Sequence, residues 1–152
     1  MRIRSALPHD AAAIKTLAAR LQDQPLPEWR DAAPLSEKLE NAVEAYDGAM
    51  PEDHAVLVCE GDGGELLGYA HAGMDADFFS GEPQGHLYYL ATDPAFEGRG
   101  AGRKLLEAIE TWAQKNGATG IMLYVFATND RARKVYQKYG FQDDMLKLVK
   151  PI

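Results

Sequence analysis

Three glycines alternate in the segment Gly98-Arg99-Gly100-Ala101-Gly102, directly ahead of an apolar stripe at helical spacing, Leu105, Leu106, Ile109 and Trp112. A helix start exposes unpaired backbone N–H groups and about half a positive charge. Glycines let such a backbone come close to an anion. Arg99, Arg103 and Lys104 add mobile positive charge to the same stretch. The chemistry this pattern supports is capture of a phosphate or pyrophosphate. It is not a Walker loop, because no Gly-Lys-Ser/Thr follows. The dinucleotide fingerprint is incomplete as well, since Arg103 stands where its third glycine would fall. That fingerprint also follows the first strand of its fold, and here the cradle lies two-thirds along the chain.

The elements that must position this cradle follow from periodicity. Arg2 to Leu7 alternates as a short strand that Pro8 stops. Asp10 is expected to cap a helix carrying Ile14, Leu17, Ala18 and Leu21 on one face. Gln22 to Pro34 holds Pro25, Pro27 and Pro34 and reads as a loop. Ser36 opens a second helix with Leu39, Val43 and Tyr46 on one side, ended by Gly48. Ala55 to Cys59 is a continuous apolar run, the mark of a strand buried on both faces. Gly61-Asp62-Gly63-Gly64 turns it into a second strand, Leu66 to Met74. Asp75 to Gly85 reads as a loop, and His86 to Ala91 as the strand before the cradle. The cradle's helix closes at Asn116-Gly117. Ile121 to Phe126 is another buried strand. Asn129 caps a last helix through Val135 to Tyr139, Gly140 ends it, and Met145 to Val149 is expected as a final strand. Consecutive hairpin strands give an antiparallel part, and the strand-helix-strand unit from His86 to Phe126 gives a parallel pair with a right-handed crossover. The expected fold is a mixed α/β sheet covered by helices, in one domain over residues 1–152.

The 152 residues suit one domain, with 46% apolar and 26% charged side chains, close to the globular average. No stretch approaches the roughly 20 apolar residues of a membrane span. The first residues lead into no apolar run of a secretory signal. Cys59 is the sole cysteine, which excludes an internal disulfide and a multi-cysteine zinc site. A reducing cytoplasm is the expected compartment. His9, His54, His71 and His86 show no metal-ligand spacing, so no metal is expected. The net charge of −7 divides into −10 over residues 1–85 and +3 over residues 86–152. The acidic half would repel a nucleic-acid backbone, while the basic half suits a small phosphorylated ligand.

With these residues in place, the segment Leu90 to Gly102 resembles the acetyl-CoA motif of the GCN5-related N-acetyltransferase (GNAT) superfamily, which reads Gln/Arg-x-x-Gly-x-Gly/Ala. Asn129-Asp130-Arg131-Ala132, Tyr136 and Gly140-Phe141 resemble that family's second landmark, Asn-x-x-Ala-x-x-x-Tyr-x-x-x-Gly-Phe. The direct match runs from about residue 86 to 141, and the order of elements before it agrees. One departure is Glu97 at the Gln/Arg position. A carboxylate beside a pyrophosphate repels it unless it turns outward or pairs, with Arg99 or Arg103 as the expected partners.

The resemblance implies a sheet of six to seven strands with about four helices, and an acetyl-CoA-dependent transfer to a primary amine by direct attack on the thioester. It implies that the backbone of Leu90, Ala91 and Thr92 pairs with the pantetheine arm in a gap between the fourth and fifth strands. The amides of Gly98, Arg99, Gly100, Ala101, Gly102 and Arg103 would hold the pyrophosphate, and Asn129 the end of the arm. Tyr136 matches the acid that protonates the departing thiolate, and position alone would make it a core aromatic instead. His86 is the implied base, with Glu82, Asp77 and Asp75 as alternatives. His86 and Tyr88, two apart, are expected to share a face with Leu90. Trp29, Phe78, Phe79 and Tyr88 would form the apolar wall of an acceptor site. Asp75, Asp77 and Glu82 would attract a cation, giving a small cationic amine as the acceptor. Tyr124 and Phe126 read as sheet packing. Transfer to a protein N-terminus or lysine, and a non-catalytic acyl-CoA sensor, are the rival readings. The resemblance also admits a homodimer.

Overall fold

The computed structural model describes residues 1–35, 37 and 51–152. Five strands form one sheet in the order β1 (Arg2–Ser5), β2 (His54–Glu60), β3 (Leu66–Ala76), β4 (Pro83–Thr92) and β5 (Gly120–Leu123). The first three pairings are antiparallel and β4–β5 is parallel. Three α-helices lie among the described residues: α1 (Ala11–Ala19), α2 (Ala101–Lys115) and α3 (Asp130–Lys138). Residues 33–35 and 37 are also helical; the remainder of the expected Ser36 helix lies outside the described residues. Pro34 thus falls in a helix's first turn, where its missing N–H costs nothing.

Each face of the sheet has its own helix. Strand β2 alternates between them, which is why its apolar run is unbroken. Val56 and Val58 pack with Ile14, Leu17 and Ala18 of α1, whereas Cys59 packs with Leu105, Leu106 and Ile109 of α2. A fully buried Leu or Ile of this kind contributes roughly 1.5–3 kcal/mol. No helix among the described residues is long and apolar enough to cross a membrane.

Four sequence expectations are corrected. The sheet has five strands rather than six or seven, because residues 141–152 take no regular structure and the apolar side chains of Met145 to Val149 are exposed. An apolar run suits a strand, but only pairing to an edge makes one. Second, β4 starts at Pro83 rather than His86. Its ladder with β3 extends to Ala76–Pro83, which shrinks the expected loop to a tight turn closed by Asp77 N–H on Glu82 O at 2.8 Å. Third, β5 stops at Leu123 rather than Phe126. Fourth, Asp10 does not cap α1 with its side chain. It is buried, and its carboxylate accepts two bonds from Arg4, at 2.6 and 3.0 Å, and one from the Leu7 N–H at 2.7 Å. Arg4 also bonds Glu60 at 3.1 Å. This cluster fastens β1 to β2 and to the start of α1.

The Arg4 guanidinium holds the Asp10 carboxyl below the usual carboxylate range. Asp10→Ala should therefore lower the unfolding free energy by roughly 2–3 kcal/mol in urea titrations, against about 1 kcal/mol for a lost cap alone. A carboxyl whose folded pKa is depressed stabilises above its unfolded value of about 3.9. The gap between wild type and variant should thus close as the pH falls below about 4.

Candidate functional site

The cradle is built where β4 runs into α2. Asp93 accepts from the Ala95 N–H at 2.8 Å and so starts a 3-10 turn, Pro94–Phe96. Gly98 and Gly100 then take φ of +77° and +88°, a region that a side chain would strain. Helix α2 starts at Ala101 with no side-chain cap. Its first intrahelical bond at this end is Lys104 N–H to Gly100 O at 3.0 Å. Among the described residues, the N–H groups of Ala101, Gly102 and Arg103 bond no oxygen. Three free donors at the positive end of a 15-residue helix are what an anion site requires.

A strand gap adjoins it. β4 pairs with β5 over four residues, from Gln84–Gly120 to Leu87–Leu123, and β5 then ends. β4 continues to Thr92, still paired with β3 on its other side. The stretch Tyr88 to Thr92 therefore keeps one edge without a strand. A bulge begins at the same point: Leu87 faces Ala72 and Tyr89 faces His71, so Tyr88 is an extra residue on β4. This overturns one expectation. His86 and Tyr88 share a face, their rings 4.3 Å apart, but the bulge turns Leu90 to the α2 side while Tyr89 packs on the α1 side.

Glu97 is neutralised, though not by Arg99 or Arg103. Arg131 reaches its Oε2 at 2.6 Å and Arg20 its Oε1 at 3.3 Å. These guanidinium groups, Arg131 first, hold its carboxyl below the usual range. Arg103 pairs instead with Glu107 at 2.6 Å, and Arg99 lies over the Phe96 ring at 5.1 Å. Arg20 also donates to the Thr92 carbonyl. One arginine thus joins the end of α1, the end of β4 and the cradle.

Asn129 accepts from the Ala132 N–H at 3.1 Å and starts α3 as expected. Tyr136 packs against the α2-side core with its ring 5.6 Å from Phe141. Burial raises its phenol above the usual value, so it stays protonated at neutral pH. His86 Nδ1 lies 3.4 Å from Asp75 Oδ2.

The expected acceptor wall does not assemble as one surface. Phe78 and Phe79 sit at the β3–β4 turn, exposed and edge-on to each other. Asp77 is occupied there, accepting from Phe79 N–H, Ser80 N–H and Ser80 Oγ. Tyr88 lies elsewhere, among histidines. Trp29 lines a separate hollow of ≈ 420 Å³ with Arg30, Asp31, Pro34, Leu35 and Phe126. Tyr124 and Phe126 are not sheet packing, because β5 ends before them. Tyr124 is 78% exposed and meets His86 edge-on at 5.3 Å.

Sequence reasoning missed a histidine pair. His54 Nδ1 and His71 Nε2 are 3.0 Å apart, and the Tyr88 ring lies 5.5 Å from His54 and 5.3 Å from His71. A Cβ on Gly73 would meet His54 Nε2 and the Tyr88 hydroxyl at 2.9 Å, so glycine makes room for the group. The signal was the β2–β3 register, which places Val56 opposite His71 and His54 opposite Gly73 on one face. Among the described residues no group of His, Cys, Asp or Glu could hold a metal ion.

The chain matches the acetyltransferase (GNAT) family over residues 17–141 and belongs to it. It is 29% identical to aminoglycoside N(6')-acetyltransferase type 1 of Stenotrophomonas maltophilia, over 93% of this chain and 86% of that one. It is 40% identical to mycothiol acetyltransferase of Propionibacterium freudenreichii subsp. shermanii over 57% of its own length, and spans only 27% of that relative. The fold matches the structure of an aminoglycoside N-acetyltransferase in complex with CoA, with a TM-score of 0.71 and 19% identity over 99% of both chains.

Burial, and then His54, push the His71 imidazole down to about 4. Between this value and an unfolded value of about 6.5, the unfolded chain binds more protons, so stability falls on acidification through that window. His71→Gln should flatten the decline of Tm between pH 6.5 and 4. Equal slopes in the two proteins would contradict this.

Proposed function

We propose that the chain is an acetyl-CoA-dependent N-acetyltransferase acting on the primary amine of a small molecule. The observation that carries this reading is the strand-free edge of Tyr88 to Thr92, on which Arg20 holds the last carbonyl, leading directly to the free amides of Ala101 to Arg103. An extended amide-bearing arm with a pyrophosphate at one end fits this arrangement: the edge pairs the arm as a strand would, and the helix start takes the anion. Gly98 and Gly100 shape the loop, Arg99 and Arg103 add charge, and Asn129 borders the arm at the start of α3.

Acetyl-CoA supplies the activated carbonyl. His86, oriented by Asp75, takes the proton from the acceptor's ammonium so that its nitrogen can attack. The new C–N bond forms as the C–S bond breaks. Tyr136, a phenol protonated at neutral pH, donates its proton to the departing thiolate. Tyr88 and Tyr124 flank His86 and help to exclude water from it. The relatedness to aminoglycoside acetyltransferases supports a small-molecule amine.

The test is a panel of amines with acetyl-CoA, followed by release of the CoA thiol, with calorimetry of acetyl-CoA binding alongside. Release with at least one small amine is expected, and binding without release from any amine overturns the enzyme reading. Tyr136→Phe should reduce kcat by about 10²–10⁴-fold while the calorimetric affinity for acetyl-CoA stays within a few-fold of wild type.

A further inference from the structure

We propose that Arg30 is a specificity-determining residue and that the acceptor carries, besides its amine, an anionic group, a carboxylate or a phosphate, that docks on it. This rests on the acetyltransferase reading above and narrows its substrate class.

The hollow beside Trp29 has a volume of ≈ 420 Å³, within the range of small-molecule sites. Its two aromatic walls come from distant parts of the chain, Trp29 from the segment after α1 and Phe126 from the segment after β5. The Thr128 hydroxyl holds these segments together by donating to the Pro25 carbonyl at 2.7 Å. The hollow therefore lies three residues past the end of β5, at the point where that strand leaves β4.

The Arg30 guanidinium lies 4.7 Å from the Trp29 ring centre and 5.4 Å from that of Phe126. Contacts with two rings hold the guanidinium at the hollow, and its N–H groups remain available as donors. Among the described residues no carboxylate pairs with it, unlike Arg2, Arg4, Arg20, Arg103, Arg131 and Arg133. Its neighbour Asp31 lines the same hollow, but its Oδ1 accepts from the Ala33 N–H at 3.0 Å. A guanidinium beside two aromatic rings can take a carboxylate or phosphate in bidentate fashion. This places the ligand's charge opposite to that expected from the acidic loop residues, of which Asp77 is already engaged in its own turn.

The experiment uses matched acceptor pairs with wild type, Arg30→Gln and Arg30→Lys. One pair is an α-amino acid and its amide, and the other an amino-sugar phosphate and the free amino sugar. Thiol release gives kcat and KM. For wild type, kcat/KM should favour the anionic member of at least one pair by about tenfold or more, carried by KM. Whichever pair shows the preference identifies carboxylate or phosphate. Arg30→Gln should bring that ratio to near one, and Arg30→Lys should restore part of it. A wild-type ratio near one in both pairs, or a ratio that survives Arg30→Gln, overturns this inference while leaving the acetyltransferase reading intact. Release from none of these four acceptors, with release from another amine of the panel, also overturns this inference, and release from no amine at all overturns the acetyltransferase reading instead.

Discussion

Past Leu87 and Leu123 the two parallel strands of the sheet part company, and most of the candidate site depends on that separation. Two local causes coincide there. Tyr88 is an extra residue on β4, and the bulge it makes begins at the last β4–β5 pair. On the other side, the chain after Leu123 leaves the sheet and is tied to the loop after α1 through Thr128 and Pro25. The result is a strand edge in the middle of a sheet. Such an edge is ordinarily a liability, and here it leads straight to the unpaired amides of α2. The same parting frees Tyr124 to meet His86 and Phe126 to line one hollow with Trp29.

The charges around this gap are arranged so that an acid at the cradle does no harm. Glu97 stands where the family motif has Gln or Arg, and two arginines from different elements hold it. Exposed pairs contribute little to stability individually. Their effect here is geometric, since Arg20 also holds the Thr92 carbonyl and so links α1, β4 and the cradle. Away from the gap, the Arg4–Asp10–Glu60 group, with Asp10 buried, does comparable positioning work for β1, β2 and α1. A buried carboxylate held in this way is sensitive to losing its partner.

On the α1 face, the histidine pair shows how a register creates chemistry that spacing along the chain conceals. His54 and His71 are 17 residues apart and belong to no motif. Antiparallel pairing of β2 and β3, with Gly73 leaving room, brings their rings into contact and closes a ring cluster with Tyr88 and His86. Burial keeps His71 neutral at physiological pH, and this makes the cluster a source of acid sensitivity.

Local pattern was enough for whatever depends on near neighbours in the chain: the cradle with its glycines and following helix, the Asn129 cap, the doubly buried run of β2, and the parallel unit around α2. Glycine conformation, capping and hydrophobic period act over a few residues, so they are written in a short stretch. Whatever depends on partners far apart required the folded chain. The Glu97 carboxylate chose Arg131 and Arg20 over its neighbours Arg99 and Arg103. Asp10 left its helix for Arg4. Met145 to Val149 is apolar enough for a strand but pairs with no edge. The bulge at Tyr88 reversed the facing of Leu90, because one inserted residue shifts a two-residue period by half. Trp29, Phe78 and Tyr88 look alike as candidate wall residues, and only tertiary packing set Trp29 beside Arg30 and Phe126, Tyr88 among histidines, and Phe78 in solvent.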